Sequence, residues 1–167
     1  MKKTFLWLIL IVLSIKVAHA QTGWINYKLD NKLSVKFPVT PRYINKNTLF
    51  AMATDSSAYI VTIVDLKESD GLDSAGLVSQ AGTQMFADSL RSSMLSSMAG
   101  YILSEITVGK WKSFISYNLN GGNISQEITL ETFMVLLGTK LYGLSTILRT
   151  GKPNNFKNYY FSSLTLN

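Results

Sequence analysis

The sequence predicts an α/β domain with a largely antiparallel sheet, in the order ββββ-α-ββββ-α. Three observations predict it. Short runs of apolar residues at alternate positions, the period of a half-buried strand, crowd both halves of the chain. One proline-free stretch, residues 74–99, is rich in Leu, Met, Ala and Gln and carries apolar residues at helical spacing. The links between the last four strand candidates are too short for crossovers, so those strands form a meander of hairpins.

The first segment stands apart from the domain. Lys2 and Lys3 precede an unbroken apolar run over residues 5–13, which Ser14 and Lys16 interrupt before Ala18-His19-Ala20. This is the layout of a signal peptide with an A-x-A cleavage site, and the run falls short of the about 20 apolar residues that span a bilayer. The chain has no cysteine, which excludes a lipoprotein anchor, thiol chemistry and disulfides. Cleavage after Ala20 makes Gln21 the first residue of a single domain, 21–167, that is exported, either periplasmic or secreted. His19, the only histidine, leaves with the signal. So do three of the 16 basic residues and none of the 10 acidic ones, so the net charge falls from +6 to +3. That is too weak and too dispersed for a nucleic-acid footprint.

Residues 24–29 and 33–37 alternate and are joined by Asp30-Asn31-Lys32 as a hairpin, with Leu33, Val35 and Phe37 on one face. Pro38 and Pro41 end that pairing, since neither donates to a ladder. Residues 48–54 and 58–66 follow. The second is apolar on both faces, Tyr59, Val61 and Ile63 against Ile60 and Val64, which marks a central strand covered on both sides. A single helix is predicted over 74–99, with Asp73 as N-cap and Gly100 as stop. Its apolar lanes, Val78, Ala81, Met85 and then Phe86, Leu90, Met94, Met98, are expected to pack on the sheet. Strands are predicted over 101–108, 111–119, 125–137 and 141–150. Their turns are expected at Gly109-Lys110, at Asn120-Gly121-Gly122-Asn123 and at Gly138-Thr139-Lys140. Pro153 and Asn154-Asn155 open a short final helix with Phe156, Tyr159 and Tyr160 at i, i+3, i+4.

The segments WINYKLDNKLSVKFPVTP, GTKLYGLS and NNFKNYYFSSLTL, around a central long helix, are similar to the PsbP-like proteins. The resemblance lies in Trp24, Phe37-Pro38, Leu141-Tyr142 and Phe161-Ser162-Ser163-Leu164. These are packing motifs of low specificity. The resemblance implies an α/β/α sandwich and an accessory or binding role, and it carries over no catalytic residue. A START-like helix-grip fold, with a long helix over a curved meander enclosing a lipid pocket, is the alternative. The four strands before the helix argue against it.

Catalytic chemistry has little to work with. G-x-S-x-G, S-x-x-K, G-x-G-x-x-G and Walker loops do not occur, and without a mature histidine no Ser-His-Asp triad forms. Zinc and other transition metals favour His and Cys, so no metal or cofactor is expected. Glu127 and Glu131 share a face of a predicted strand about 14 Å apart, wider than a glycosidase pair. Asp65, Glu68, Asp70 and Asp73 crowd DLKESDGLD, but Leu66 stands where an EF-hand loop needs its first acid. The segment reads as a polar connection into the helix.

Residues 24–47 hold Lys28, Lys32, Lys36, Arg42 and Lys46 against one acid, Asp30. Lysines on edge strands discourage further pairing. A basic surface toward an acidic partner or anionic headgroups is the functional counterpart, which exposed Trp24 or Tyr43 would strengthen. Trp111, Tyr117 and Tyr142 are expected in the core. The function expected is an exported, non-enzymatic accessory module that binds an envelope protein, with peripheral contact to an anionic membrane surface. The alternative is a carrier of a small apolar ligand or lipid, with a pocket between the long helix and the sheet. A carboxylate-and-hydroxyl enzyme would need two acids converging within about 9 Å. Mass spectrometry of the exported protein should find Gln21 at its N-terminus, and a start before His19 would refute the cleavage site.

Overall fold

The computed structural model describes residues 23–71, 74–152 and 156–167. Strands β1 (Ile25–Lys28), β2 (Leu33–Phe37), β3 (Arg42–Asn45), β4 (Thr48–Met52) and β5 (Ala58–Asp65) come first. Helices α1 (Leu66–Asp70), α2 (Ser74–Gln80) and α3 (Gln84–Ser97) follow. Then come β6 (Ile102–Leu103), β7 (Thr107–Trp111), β8 (Phe114–Asn123), β9 (Ile128–Leu137), β10 (Lys140–Arg149), α4 (Lys157–Ser162) and β11 (Thr165–Leu166). The large sheet runs β3-β4-β5-β10-β9-β8-β6, with β7 also on β8, and a small sheet runs β1-β2-β11. Every pairing is antiparallel. Among the described residues no helix is long and apolar enough to cross a membrane.

The large sheet has a core on each face. On one, Leu33, Val35 and Phe37 of the small sheet and Tyr160 of α4 meet Leu49, Tyr59, Val61, Val135, Tyr142 and Leu144. On the other, Leu66, Leu77, Ala81 and Ala87 from the helical segments meet Leu103, Tyr117, Leu119, Leu130 and Leu141. The layer opposite the long helix is therefore as much strand as helix. The helix-grip alternative is not what forms, because five strands precede the helices and a second sheet closes the far face.

The expected order needs correcting in several places. Chain pairing resumes straight after Pro41 as β3, and residues 66–70 coil into α1, with the Asp65 carboxylate accepting from the Lys67 amide at 3.1 Å as N-cap. The single helix over 74–99 is two. Ala81 and Gly82 break it, and the Thr83 hydroxyl restarts it by accepting from the Phe86 amide. Leu77 and Ala81 are buried, while Val78 (79% exposed) and Met85 (75%) face outward instead of joining the sheet-facing lane. Asp73, the expected cap, lies outside the described residues, and α3 ends at Ser97 before Gly100.

Two expected turns are strand. Gly109 pairs with Ser116 inside β7, and the hairpin closes at Lys112-Ser113, with Lys112 left-handed at φ 55°. Gly121 and Gly122 lie inside β8, where they admit neighbouring backbone. A Cβ on Gly121 would stand 2.7 Å from the Ile102 carbonyl oxygen, and one on Gly122 2.5 Å from that of Ile128. The chain turns after Asn123, whose side-chain carbonyl accepts from Ser125 and from the Gln126 amide. Gly138-Thr139 turns as expected, and β5 is central, between β4 and β10. Residues 165–166, unassigned from sequence, pair with β2.

The first hairpin is fastened to the large sheet by Asp30. Its carboxylate accepts from the buried Tyr142 hydroxyl at 2.5 Å and from the Lys32 and Leu33 amides at 2.8 and 3.1 Å, with Lys140 Nζ at 3.8 Å. Burial works to raise the carboxyl pKa, but the Tyr142 hydroxyl, the two amides and Lys140 outweigh it and hold it below the usual value. The folded form thus binds the proton more weakly than the unfolded chain. This stabilisation is complete above about pH 4 and drains away as pH falls through the lowered folded value. Asp30→Ala should cost about 1–3 kcal/mol in denaturant unfolding at neutral pH. The gap to the natural protein should narrow in acid, and a gap of constant size would refute the assignment.

Candidate functional site

Helix α3 sits to one side of the sheet it covers. Its close approaches are to β6 and β7. There the Arg91 guanidinium donates to the Leu103 carbonyl (2.7 Å from Nη2) and to that of Ser104 (2.7 Å from Nε), and Gln84 Nε2 donates to the Ile106 carbonyl at 3.3 Å. At the break before α3, the buried Tyr117 hydroxyl donates to the Ala81 carbonyl at 2.6 Å, and burial pushes its pKa far up. These bonds tether the helix along the β6–β8 side. Over β5, β10 and β9 it leaves a cleft of about 500 Å³, in the position where the sequence placed its alternative pocket.

The floor follows from strand parity, since alternate residues point to opposite faces. Even-numbered residues of β5 and β9 and odd-numbered residues of β10 face the cleft. In register across the strands, Val64 lies beside Leu141, Thr62 beside Gly143 and Met134, Ile60 beside Ser145 and Thr132, and Ile147 beside Leu130. The other face of the same strands carries Tyr59, Val61, Tyr142, Leu144 and Val135, all fully buried. One face is filled by bulk. The other has glycine and hydroxyls at its centre, and the space is the difference in side-chain volume.

Thr132 and Ser145 share a hydrogen bond at 2.9 Å, and Thr62 lies 3.5 Å from Thr48. The roof is Leu90, Met94 and Met98 at i, i+4, i+8, with Ser93 and Ser97 between them. Among the described residues no charged side chain lines the cleft. Those residues offer apolar contact and neutral hydrogen bonds. A wider depression of about 860 Å³ lies beside Gly121 and Gly122, but it has no roofing helix and is a shallow, solvent-open groove at the sheet's end.

The residues singled out from sequence fall elsewhere. Lys28 and Lys36 lie on β1 and β2 with Lys32 in their hairpin, whereas Arg42 and Lys46 belong to β3 and its turn in the large sheet. β1 and β3 are edge strands, which suits lysine and arginine as edge protection. Lys36 is engaged, its ammonium donating to the Tyr159 hydroxyl at 3.1 Å and lying 5.5 Å from that ring's centre. Tyr43 (58% exposed) stands free of the core, while Trp24 is packed edge-on against Tyr59 and Tyr159. Burial, and then Asp55, push the Tyr59 hydroxyl up to about 12, against the opposing hydrogen bond from Ser57.

Glu127 is in a turn at φ 51°, not on a strand face with Glu131, and Glu131 pairs with Lys157 at 2.6 Å. Among the described residues no three His, Cys, Asp or Glu could hold a metal ion. Ala18, His19, Ala20 and Gln21 lie outside the described residues. The cleft floor was missed because single hydroxyls inside apolar runs look neutral. The signal was the shared parity of Gly143 and Ser145 within LYGLSTI.

No family model and no curated protein matches the sequence. Among solved structures, the solution structure of cyanobacterial PsbP from Synechocystis is similar over 87% of this chain and 93% of its own, at 9% identity and a TM-score of 0.48. A crystallised protein from Bacteroides thetaiotaomicron is similar over 81% of this chain at 7% identity and a TM-score of 0.40, and the match takes in 45% of that protein's length.

If Arg91 holds α3 in place, Arg91→Ala should destabilise the protein by about 1–3 kcal/mol, the range for lost hydrogen bonds from a charged donor. Amide exchange should speed up in α3 and stay unchanged in β9 and β10. Unaltered protection of α3 would show that the tether is elsewhere.

Proposed function

We propose that this chain is an exported binding module without catalytic chemistry, and that its cleft under α3 takes a small apolar ligand. The observation that carries the reading is the asymmetry of the β5–β10–β9 faces. Natural cores are close-packed, and a sheet face covered by a helix is ordinarily filled. Here Gly143 occupies the centre of the covered face, with Thr62, Ser145 and Thr132 around it, and about 500 Å³ stays open. That volume falls within the range of small-molecule sites, about 300–1,000 Å³. Methionines in the roof supply an unbranched, adaptable surface that accepts varied apolar shapes. The want of any ionisable group among the described lining residues supports binding over catalysis, and the signal-like N-terminal segment supports export.

The hydrocarbon fluorophore diphenylhexatriene is the direct probe, because it brightens on leaving water and carries no polar group. The protein should bind it at one site per chain. Gly143→Leu should abolish that binding while leaving the unfolding midpoint nearly unchanged. A Cβ there meets nothing nearer than Met134 Cγ at 3.6 Å, so the new side chain fills the cleft rather than straining the strand. No brightening with the natural protein would overturn the reading. Docking to an envelope protein would then take its place, with Tyr43 and Ile44 beside Arg42 as the residues to substitute.

A further inference from the structure

Resting on that reading of the cleft, we propose that its ligand is an uncharged, elongated molecule with apolar arms on either side of a central hydrogen-bond acceptor, a mid-chain ester being the simplest case. Three features of the lining point to this class. The first is length. From Leu141 to Ile147 the floor runs six residues along β10, about 20 Å at the rise of an antiparallel strand. An extended chain lies along such a floor, whereas a compact ring system would leave its ends empty.

The second feature is the order of chemistry along that length. On the floor, Val64 beside Leu141 makes one end apolar and Leu130 beside Ile147 makes the other apolar, with Ser69 of α1 also in the lining. The hydroxyls of Thr62, Ser145 and Thr132 fall in the two rows between them. A molecule with its polar group at one terminus would press that group against hydrocarbon. A molecule with the group near its middle meets the hydroxyls and lays hydrocarbon on both sides. The third feature is charge and donor supply. Among the described residues the lining holds no cation, so a carboxylate there would be stripped of water without a counter-charge, which is costly. Thr132 and Ser145 share one hydrogen bond, which uses one of their two hydroxyl hydrogens and leaves the other to donate. That surplus is a donor, and the group it fits is a neutral carbonyl.

The test is displacement of diphenylhexatriene by hexyl hexanoate and by dodecanoate, which has the same number of carbons but a terminal charge. Hexyl hexanoate should compete at a concentration about tenfold lower or less. In a Thr132→Val, Ser145→Ala double variant, ester affinity should fall about three- to tenfold while the affinity for diphenylhexatriene stays unchanged, which also confirms that the variant folds. Equal competition by dodecanoate, or an ester affinity indifferent to the two hydroxyls, would overturn the ligand class and leave the cleft reading standing. Failure of the hydrocarbon itself to bind the natural protein would overturn both.

Discussion

The pairing of β10 with β5 on one side and β9 on the other, across almost its full length, constrains everything around it. A strand in that position has both faces covered, and its period of two assigns each residue to one face without choice. The two faces can then be composed independently. Tyr142 and Leu144 serve the aromatic core, while Gly143 and Ser145 serve the helical side, and neither set can borrow volume from the other. A cleft in the middle of a stable sheet is therefore compatible with folding, because the packing that holds β10 is already complete on the opposite face.

That opposite face is held by aromatic edges. Trp24 meets Tyr59 at 5.2 Å and 83° and Tyr159 at 5.1 Å and 85°, and Tyr59 meets Tyr160 at 5.0 Å and 74°. Edge-to-face contacts of this kind add about 0.5–1.5 kcal/mol each beyond burial. The Tyr160 hydroxyl donates to the Ile60 carbonyl at 2.8 Å, and burial raises its pKa well above the usual value. These rings bring together β5, the segment before β1 and the segment around α4. On the other side, the ring contact given by the described residues of the helices is Phe86 with Tyr117, at 6.1 Å. Leu77, Ala81 and Ala87 are buried there, Phe86, Leu90, Met94 and Met98 are half-buried against the same core, and Arg91 and Tyr117 supply polar tethers.

Much of this was legible in the sequence where periodicity and punctuation agree. The 33–37 alternation, the two-faced 58–66 run, the Gly138 turn and the Phe156-Tyr159-Tyr160 stripe all rest on side-chain pattern, and the structure has them, save that Leu66 opens α1. The misreadings came from glycine and from phase. Gly121-Gly122 looks like a turn, yet the pair is needed for close backbone approach within paired strands, and only the neighbouring strand shows that. The hairpin at Lys112-Ser113 has no glycine to mark it, since a lysine takes the left-handed conformation. The break at residues 81–83 divides the predicted lane, and Val78 before it and Met85 after it both face outward. β11 is two residues long and exists only because β2 has a free edge. The cleft was legible as a location and not as a composition, because its floor is read across three strands whose register no single segment specifies.

The small sheet places β1 and β11 on either side of β2, and its outer corner is tied by Ser34 to Asn167, partners 133 positions apart in the chain. The aromatic face needs Tyr160 as well as Trp24, so its two halves come from opposite ends of the described domain. Until residues 156–166 have been made, β2 lacks one neighbour, and Trp24 has Tyr59 to pack against but not Phe156, Tyr159 or Tyr160. Contacts of such long range form late, because the intervening chain must be ordered before they reward the closure. Closure of the aromatic face therefore waits for the last segment of the described domain.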